Sequence, residues 1–412
     1  MNCRELKMLS LRWICFVAIL LLTHCVVRAQ WVRTELRQND MTKSFAVSAN
    51  DLLAVCGGYI YATSDNGDTW RDLDDAQTAQ GFCTAVGYFD STVFLGTGYN
   101  GMFKSTDQGA SWQPLNASQC GTAWEFVSFH SRILLASNAD NIFQSLDSGN
   151  TWLPIGISAD GNAHHEIFTI AVQGNNIFAG GLPGGVFLSV DSGITWKDVE
   201  PVLGDTSVLA LTTIGSTVLE GAQFGIRWSS DSGATWHSGK GLEGSYVFSL
   251  VSNDYGVFAG LANGSGVWWS SDSGKSWIPM NQGLINQAGN ALATHSNFLF
   301  VGTSSDVYRR PLSDFEAVQQ VISNVFELTL HQNFPNPLTT QTTLSLSNPR
   351  RQFVDVRMMD ILGKTCAEIF SGNLDAGERS FEWNASGVPD GVYFCVVRGE
   401  SGVVERAVVV RH

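Results

Sequence analysis

Ser189-Val190-Asp191-Ser192-Gly193-Ile194-Thr195-Trp196 decides the fold, because its eight-residue pattern occurs six times in the chain. The general form is Ser/Thr-x-Asp-x-Gly-x-Ser/Thr-Trp. The copies are centred on Asp65, Asp107, Asp147, Asp191, Asp231 and Asp272, and they close with Trp70, Trp112, Trp152, Trp196, Trp236 and Trp277. They recur about every forty residues, a period that marks a repeat architecture.

Strand-like runs flank each copy. Val186-Phe187-Leu188-Ser189 precedes the fourth and Thr195-Trp196-Lys197-Asp198-Val199 follows it. The Asp, Ser and Gly between them are turn formers. The Asp carboxylate is expected to accept backbone N–H groups two or three residues on. Gly193 supplies a positive φ without steric cost. The Trp offers a large apolar face to a neighbouring element.

This pattern resembles the Asp-box (BNR) repeat of sialidases, sortilin-type receptors, xyloglucanases and a photosystem II assembly factor. The resemblance implies that the boxes are structural hairpins, remote from any active site. Each unit reads as four strands; in the first these are Ser44–Ser48, Leu52–Cys56, Tyr59–Thr63 and Thr69–Leu73. Four short strands per repeat describe a propeller blade.

A seventh unit follows the last box without a box of its own: Asn290–His295, Phe298–Gly302 and Asp306–Arg310. Its fourth strand is expected from the other end of the chain, because Trp31-Val32-Arg33-Thr34-Glu35-Leu36 matches the strand begun by each box Trp. The expected fold is all-β: a seven-bladed β-propeller over residues 30–310, with 30–37 as the closing strand, plus a small C-terminal β-sandwich. The alternative is a six-bladed ring with Asn290–Arg310 as an appendage.

Both ends of the chain carry address signals. Residues 1–29 read as a secretory signal peptide: Arg4, Lys7 and Arg12 precede the apolar Trp13–Leu22, and Val27-Arg28-Ala29 offers a cleavage site before Gln30. That apolar run is short for a membrane span, and no transmembrane segment is expected in the mature chain. Residues 311–325 read as a linker. From Phe326 to His412 the sequence resembles a type IX secretion sorting domain (type A), through Leu330-His331-Gln332-Asn333-Phe334-Pro335-Asn336-Pro337, Met359-Asp360-Ile361-Leu362-Gly363-Lys364 and Gly391-Val392-Tyr393-Phe394. The resemblance implies docking on the type IX translocon and a secreted or cell-surface destination in a Bacteroidetes-like host.

The formal charge is −14, and removing a leader with four basic residues and one acid makes the mature chain −17. An acidic surface argues against nucleic acid as a partner. Beyond the leader, Cys56, Cys83, Cys120, Cys366 and Cys395 show no Cys-x-x-Cys metal spacing. A Cys366–Cys395 bridge stays open, and no metal or other cofactor is expected.

Propeller ligands more often meet the face opposite the box hairpins. Tyr99, Trp124, His164, His165, Phe224 and Tyr246 fall in loops or strand ends on that side and are the candidate ligand-binding residues, a glycan or protein being the expected ligand. Adjacent strand residues point to opposite sides, so His164 and His165 do not suit one metal. A glycoside hydrolase is the alternative function; it needs two carboxylates facing each other across a cleft. The candidates for that role are Glu125, Asp160, Glu166, Asp205 and Glu220. A sialidase would need three converging arginines, and Gly225-Ile226-Arg227-Trp228 does not match that family's arginine motif. The expected protein is therefore a binding module rather than an enzyme.

Overall fold

The structure is a computed structural model that describes residues 30–37, 40–48, 50–74, 82–98, 100–139, 141–156, 166–183, 185–199, 207–262, 264–285, 288–316, 328–399 and 402–412. The leader expected over residues 1–29 lies outside them. The chain divides into two compact units, Met1–Phe315 and Glu316–His412.

The first unit is built from seven four-stranded antiparallel sheets among the described residues. Six follow chain order. The first holds Thr42–Val47, Leu52–Cys56, Tyr59–Thr63 and Arg71–Asp72. The fourth holds Glu166–Gln173, Asn176–Leu182, Val186–Ser189 and Lys197–Asp198. The fifth holds Val208–Ile214, Thr217–Ala222, Gly225–Ser229 and His237–Ser238. The first strand of each sheet packs on the first strand of the next, and Ala291–His295 of the seventh returns to Thr42–Val47, so the ring closes. Second strands are mainly apolar at their centres, as in Val257-Phe258-Ala259 and Leu299-Phe300-Val301, because they are buried between neighbouring sheets.

The box is one hydrogen-bond circuit repeated six times. In the fourth copy the Ser189 hydroxyl donates to Asp191 Oδ1 at 2.8 Å and accepts the Gly193 N–H at 2.7 Å. Thr195 donates its N–H to Oδ1 at 2.8 Å and its hydroxyl to Oδ2. The same four bonds form around Asp65, Asp107, Asp147, Asp231 and Asp272. The carboxylate thus reaches the residue four positions on, farther than the turn chemistry alone suggested. The buried member is the leading hydroxyl, Ser189 being fully buried, while the Asp carboxylates face solvent. Gly193 has φ +90°, and a Cβ there would meet Ile155 of the preceding sheet at 2.8 Å, so the hairpin lies flat against its neighbour.

The seventh sheet takes its outermost strand from the N-terminus. Val32–Arg37 pairs antiparallel with Asp306–Pro311, with Val32 opposite Arg309. Trp31 is 3% exposed, and its indole N–H donates to Met280 O at 2.6 Å. Trp112 and Trp236 make the same bond to Leu73 O and Val199 O, each just past the fourth strand of the preceding sheet. Trp31 is therefore a box Trp without a box.

One expected boundary moves. Arg310 faces Leu299 as Ser189 faces Ile177, so it occupies the position of the box hydroxyl. It donates to Met280 O and to Asp314, both at 3.3 Å. Phe315 is fully buried, with its ring 4.7 Å from Phe258 and 5.7 Å from Trp269. Residues 311–315, read as linker, belong to the ring because their apolar side chains are buried where a box hairpin is missing.

The second unit is a sandwich of a three-stranded sheet and a four-stranded sheet. Gln341–Asn348 and Gly377–Asn384 carry the first, and Gln352–Asp360 and Gly391–Gly399 form the centre of the second. Alternate residues Val354, Val356 and Met358 face a core with Leu344, Leu346, Trp383, Cys395 and Val397. Cys366 and Cys395 are free. Ala367 and Cys395 both flank Met358, so Cys366, one residue along, points away from that core.

Candidate functional site

The first strands of sheets one to six each carry a bulge, and the residue after it is available to the next sheet. Where that residue is polar it ties two first strands together. Ser44 Oγ accepts the Val86 N–H at 3.3 Å, and Thr169 Oγ1 accepts the Leu211 N–H at 3.1 Å. Glu125 occupies the same place in the third sheet, and its Oε2 accepts the Ile170 N–H at 2.8 Å. Burial pushes the Glu125 carboxyl up to about 7, against the pull of the Ile170 N–H and the Thr169 hydroxyl. Its geometry is that of an inter-sheet tie.

Of the other candidates, Tyr99, Asp160, His164, His165 and Asp205 lie outside the described residues. Glu166 opens the first strand of the fourth sheet, opposite Leu182. Trp124 packs edge-on against Phe168 at 5.9 Å, between the third and fourth sheets. Phe224 and Tyr246 do approach one region. Phe224 caps the turn between the second and third strands of the fifth sheet and is 70% exposed. Gln223 beside it donates to the Tyr246 hydroxyl at 3.4 Å, and Tyr246 stacks edge-on with Phe248 at 5.1 Å.

Beneath Phe224 the repeat is broken. In six sheets one cross-strand pair joins an aliphatic residue to an aromatic one: Ala54–Tyr61, Leu95–Phe103, Leu135–Phe143, Ala179–Phe187, Ala259–Trp268 and Val301–Tyr308. In the fifth sheet the pair is Glu220–Arg227. Glu220 is fully buried, neither carboxylate oxygen has a hydrogen-bond partner, and the nearest Arg227 nitrogen is 3.9 Å away. Burial pushes this carboxyl up to about 8. Both residues line a cavity of about 320 Å³ with Phe224, Ser238, Gly239 and Glu243. Arg227 was missed as a site residue. Aligning the units by their boxes puts an acid in a column of apolar residues and an arginine in a column of aromatics, and that was the available signal.

Comparison with known proteins bears on both units. Residues 332–411 match the family of secretion system C-terminal sorting domains. The chain is thus sorted for export to the cell surface or the medium. No helix among the described residues is long and apolar enough to cross a membrane. No curated protein matches the chain. Solved structures do. YCF48 bound to a D1 peptide is similar at 13% identity and a TM-score of 0.57, over 69% of this chain and 94% of that one. PorZ, a surface component of the type IX secretion system of Porphyromonas gingivalis, is similar at 16% identity and a TM-score of 0.52, over 91% of this chain and 60% of that one. The GH74 xyloglucanase from Xanthomonas campestris is similar at 14% identity and a TM-score of 0.53, over 77% of this chain and 59% of that one. At these identities the likeness shows the fold, a β-propeller, joined here to a sorting domain.

Proposed function

We propose that the propeller is a non-catalytic recognition module that binds a glycan or a protein outside the cell, through the face opposite the boxes. The observation that carries this reading is the cluster of Gln223, Phe224, Tyr246 and Phe248. Phe224 and Phe248 are exposed beside hydrogen-bonding groups. Aromatic faces with polar neighbours suit sugar C–H faces and protein side chains alike. The sorting domain takes this surface to the outside, where such ligands are found. Likeness to one propeller with a bound peptide and to one glycan-cleaving enzyme is compatible with either ligand class.

Hydrolysis is the weaker reading. It needs a facing pair of carboxylates, and Glu125 is engaged in holding the Ile170 N–H. A glycan array probed with residues 30–315 tests the proposal. A saturable hit that survives incubation unchanged supports it, whereas turnover of the hit would replace it with the hydrolase.

A further inference from the structure

We propose that the Glu220–Arg227 cavity of the fifth sheet is a binding subsite for a primary ammonium group on a slim carbon stem. The inference rests on the recognition reading above and names the chemistry of one part of that surface.

The fold does not need this pair. Six sheets fill the same two positions with an aliphatic residue and an aromatic ring, and they close the ring with those. Three of those pairs, Leu95–Phe103, Leu135–Phe143 and Ala179–Phe187, sit in the apolar core between a sheet and its predecessor. Replacing such a pair with a buried acid and an arginine costs stability unless the charges are well paired and hydrogen-bonded. Here they are not. A separation of 3.9 Å is too long for a hydrogen bond, and both Glu220 oxygens lack a donor. Buried acceptors in a native fold seldom stay unsatisfied. The missing partner must bring N–H or O–H donors into the cavity.

Charge selects among donors. Burial holds a proton on Glu220, and a cation that donates to its oxygens can take that proton's place, with the Glu243 carboxylate at the rim adding to the attraction. The whole chain is acidic as well, at −14, which favours encounter with cations. An ammonium supplies three donors and one positive charge in a small volume. Phe224 at the mouth offers an apolar face to a carbon stem and a π face to the cation. The cavity volume of about 320 Å³ suits a side-chain-sized group rather than a folded segment. A lysyl side chain and an amino sugar share this ammonium chemistry.

The experiment titrates the full chain with n-pentylammonium, using 1-pentanol as the uncharged control, by calorimetry or ligand-observed NMR. The ammonium is expected to bind roughly ten- to a hundredfold more tightly than the alcohol, the ratio that charge-assisted hydrogen bonds confer. Glu220→Gln should abolish that preference. The double variant Glu220→Leu with Arg227→Phe, which restores the pair used in the other sheets, should melt at a higher temperature and bind neither probe. Nα-acetyllysine amide and glucosamine then distinguish the two sources. Equal binding of alcohol and ammonium, or an unchanged preference in Glu220→Gln, would overturn the subsite. A glycan-array hit kept at full strength by a Glu220→Gln chain that has lost the ammonium preference would leave both proposals standing, with separate positions on the surface. Failure of the array alongside an intact ammonium preference would overturn glycan recognition and leave the subsite.

Discussion

Ser189 and Asp191 stand two residues apart in one hairpin, yet they experience different surroundings. Ser189 is buried and accepts the N–H of the buried Gly193. Ser189→Ala leaves that donor unpaired, so stability should fall by about 1–3 kcal/mol in urea melts. Asp191 faces solvent, and Asp191→Asn should cost less at neutral pH. The Thr195 hydroxyl, followed by the Thr195 N–H, holds its carboxyl down from 3.8 to about 2. The folded state therefore releases this proton more readily than the unfolded one. The stabilisation is present above the ordinary value and is lost as pH falls toward 2. Asp191→Asn should flatten the acid limb of a stability–pH curve over that interval. Glu220 behaves oppositely. Its carboxyl rises from 4.5 to about 8 through burial, beside Arg227 on the facing strand and Glu243 at the cavity rim. The folded chain holds this proton more tightly, so the contribution favours folding below 4.5 and fades as pH climbs through 8. Glu220→Gln removes the titration, so it should be less sensitive than the native chain to a rise in pH between 4.5 and 8. Parallel curves for the two proteins in urea would contradict the burial described.

At the scale of elements, the N-terminal strand matters more than its length suggests. Trp31 fills the place of a box Trp and bonds to Met280 O. Trp31→Ala should destabilise the ring unit by about 3–5 kcal/mol, as large-to-small changes at buried aromatics do. Deleting residues 30–37 should lower its melting temperature further, because the strand Asp306–Pro311 then becomes an open edge. A truncated chain that melts with the native one would refute the role of the strand. Much of this organisation was legible in the sequence. The boxes mark each hairpin, and the match of Trp31–Leu36 to a strand begun by a box Trp located the closing strand. The linker boundary was not legible, because Leu312 and Phe315 are too few to show a period and their burial depends on the absent box. The Glu220–Arg227 pair shows only when the units are aligned on their boxes; within one strand, alternation says nothing about which residue lies opposite Glu220.

At the scale of the molecule, one unit presents a surface and the other carries the address. The sorting domain has its own core around Val356, Met358 and Trp383, and the ring has closed cores between its sheets. Removal of residues 316–412 should leave a folded propeller confined to the periplasm, which fractionation and external protease would show. Attached to an inert periplasmic reporter, residues 316–412 should carry it outside in a host with the type IX machinery and fail when the translocon is deleted. A reporter that stayed periplasmic in the competent host would show that the segment does not suffice as an address. The closing strand sets a clock for this route. The Trp31–Met280 bond joins residues 249 positions apart, and pairing over so long a loop forms late, after local hairpins are in place. Nearly the whole ring must therefore be available before its first residues can lock. Until then the sheets can open from one seam, and hydrogen exchange should be fastest at Val32–Arg37 and spread from there to its partner strand. The part of the chain made earliest is the last to commit, so the propeller can reach its latched state only once the chain as far as Met280 is in place.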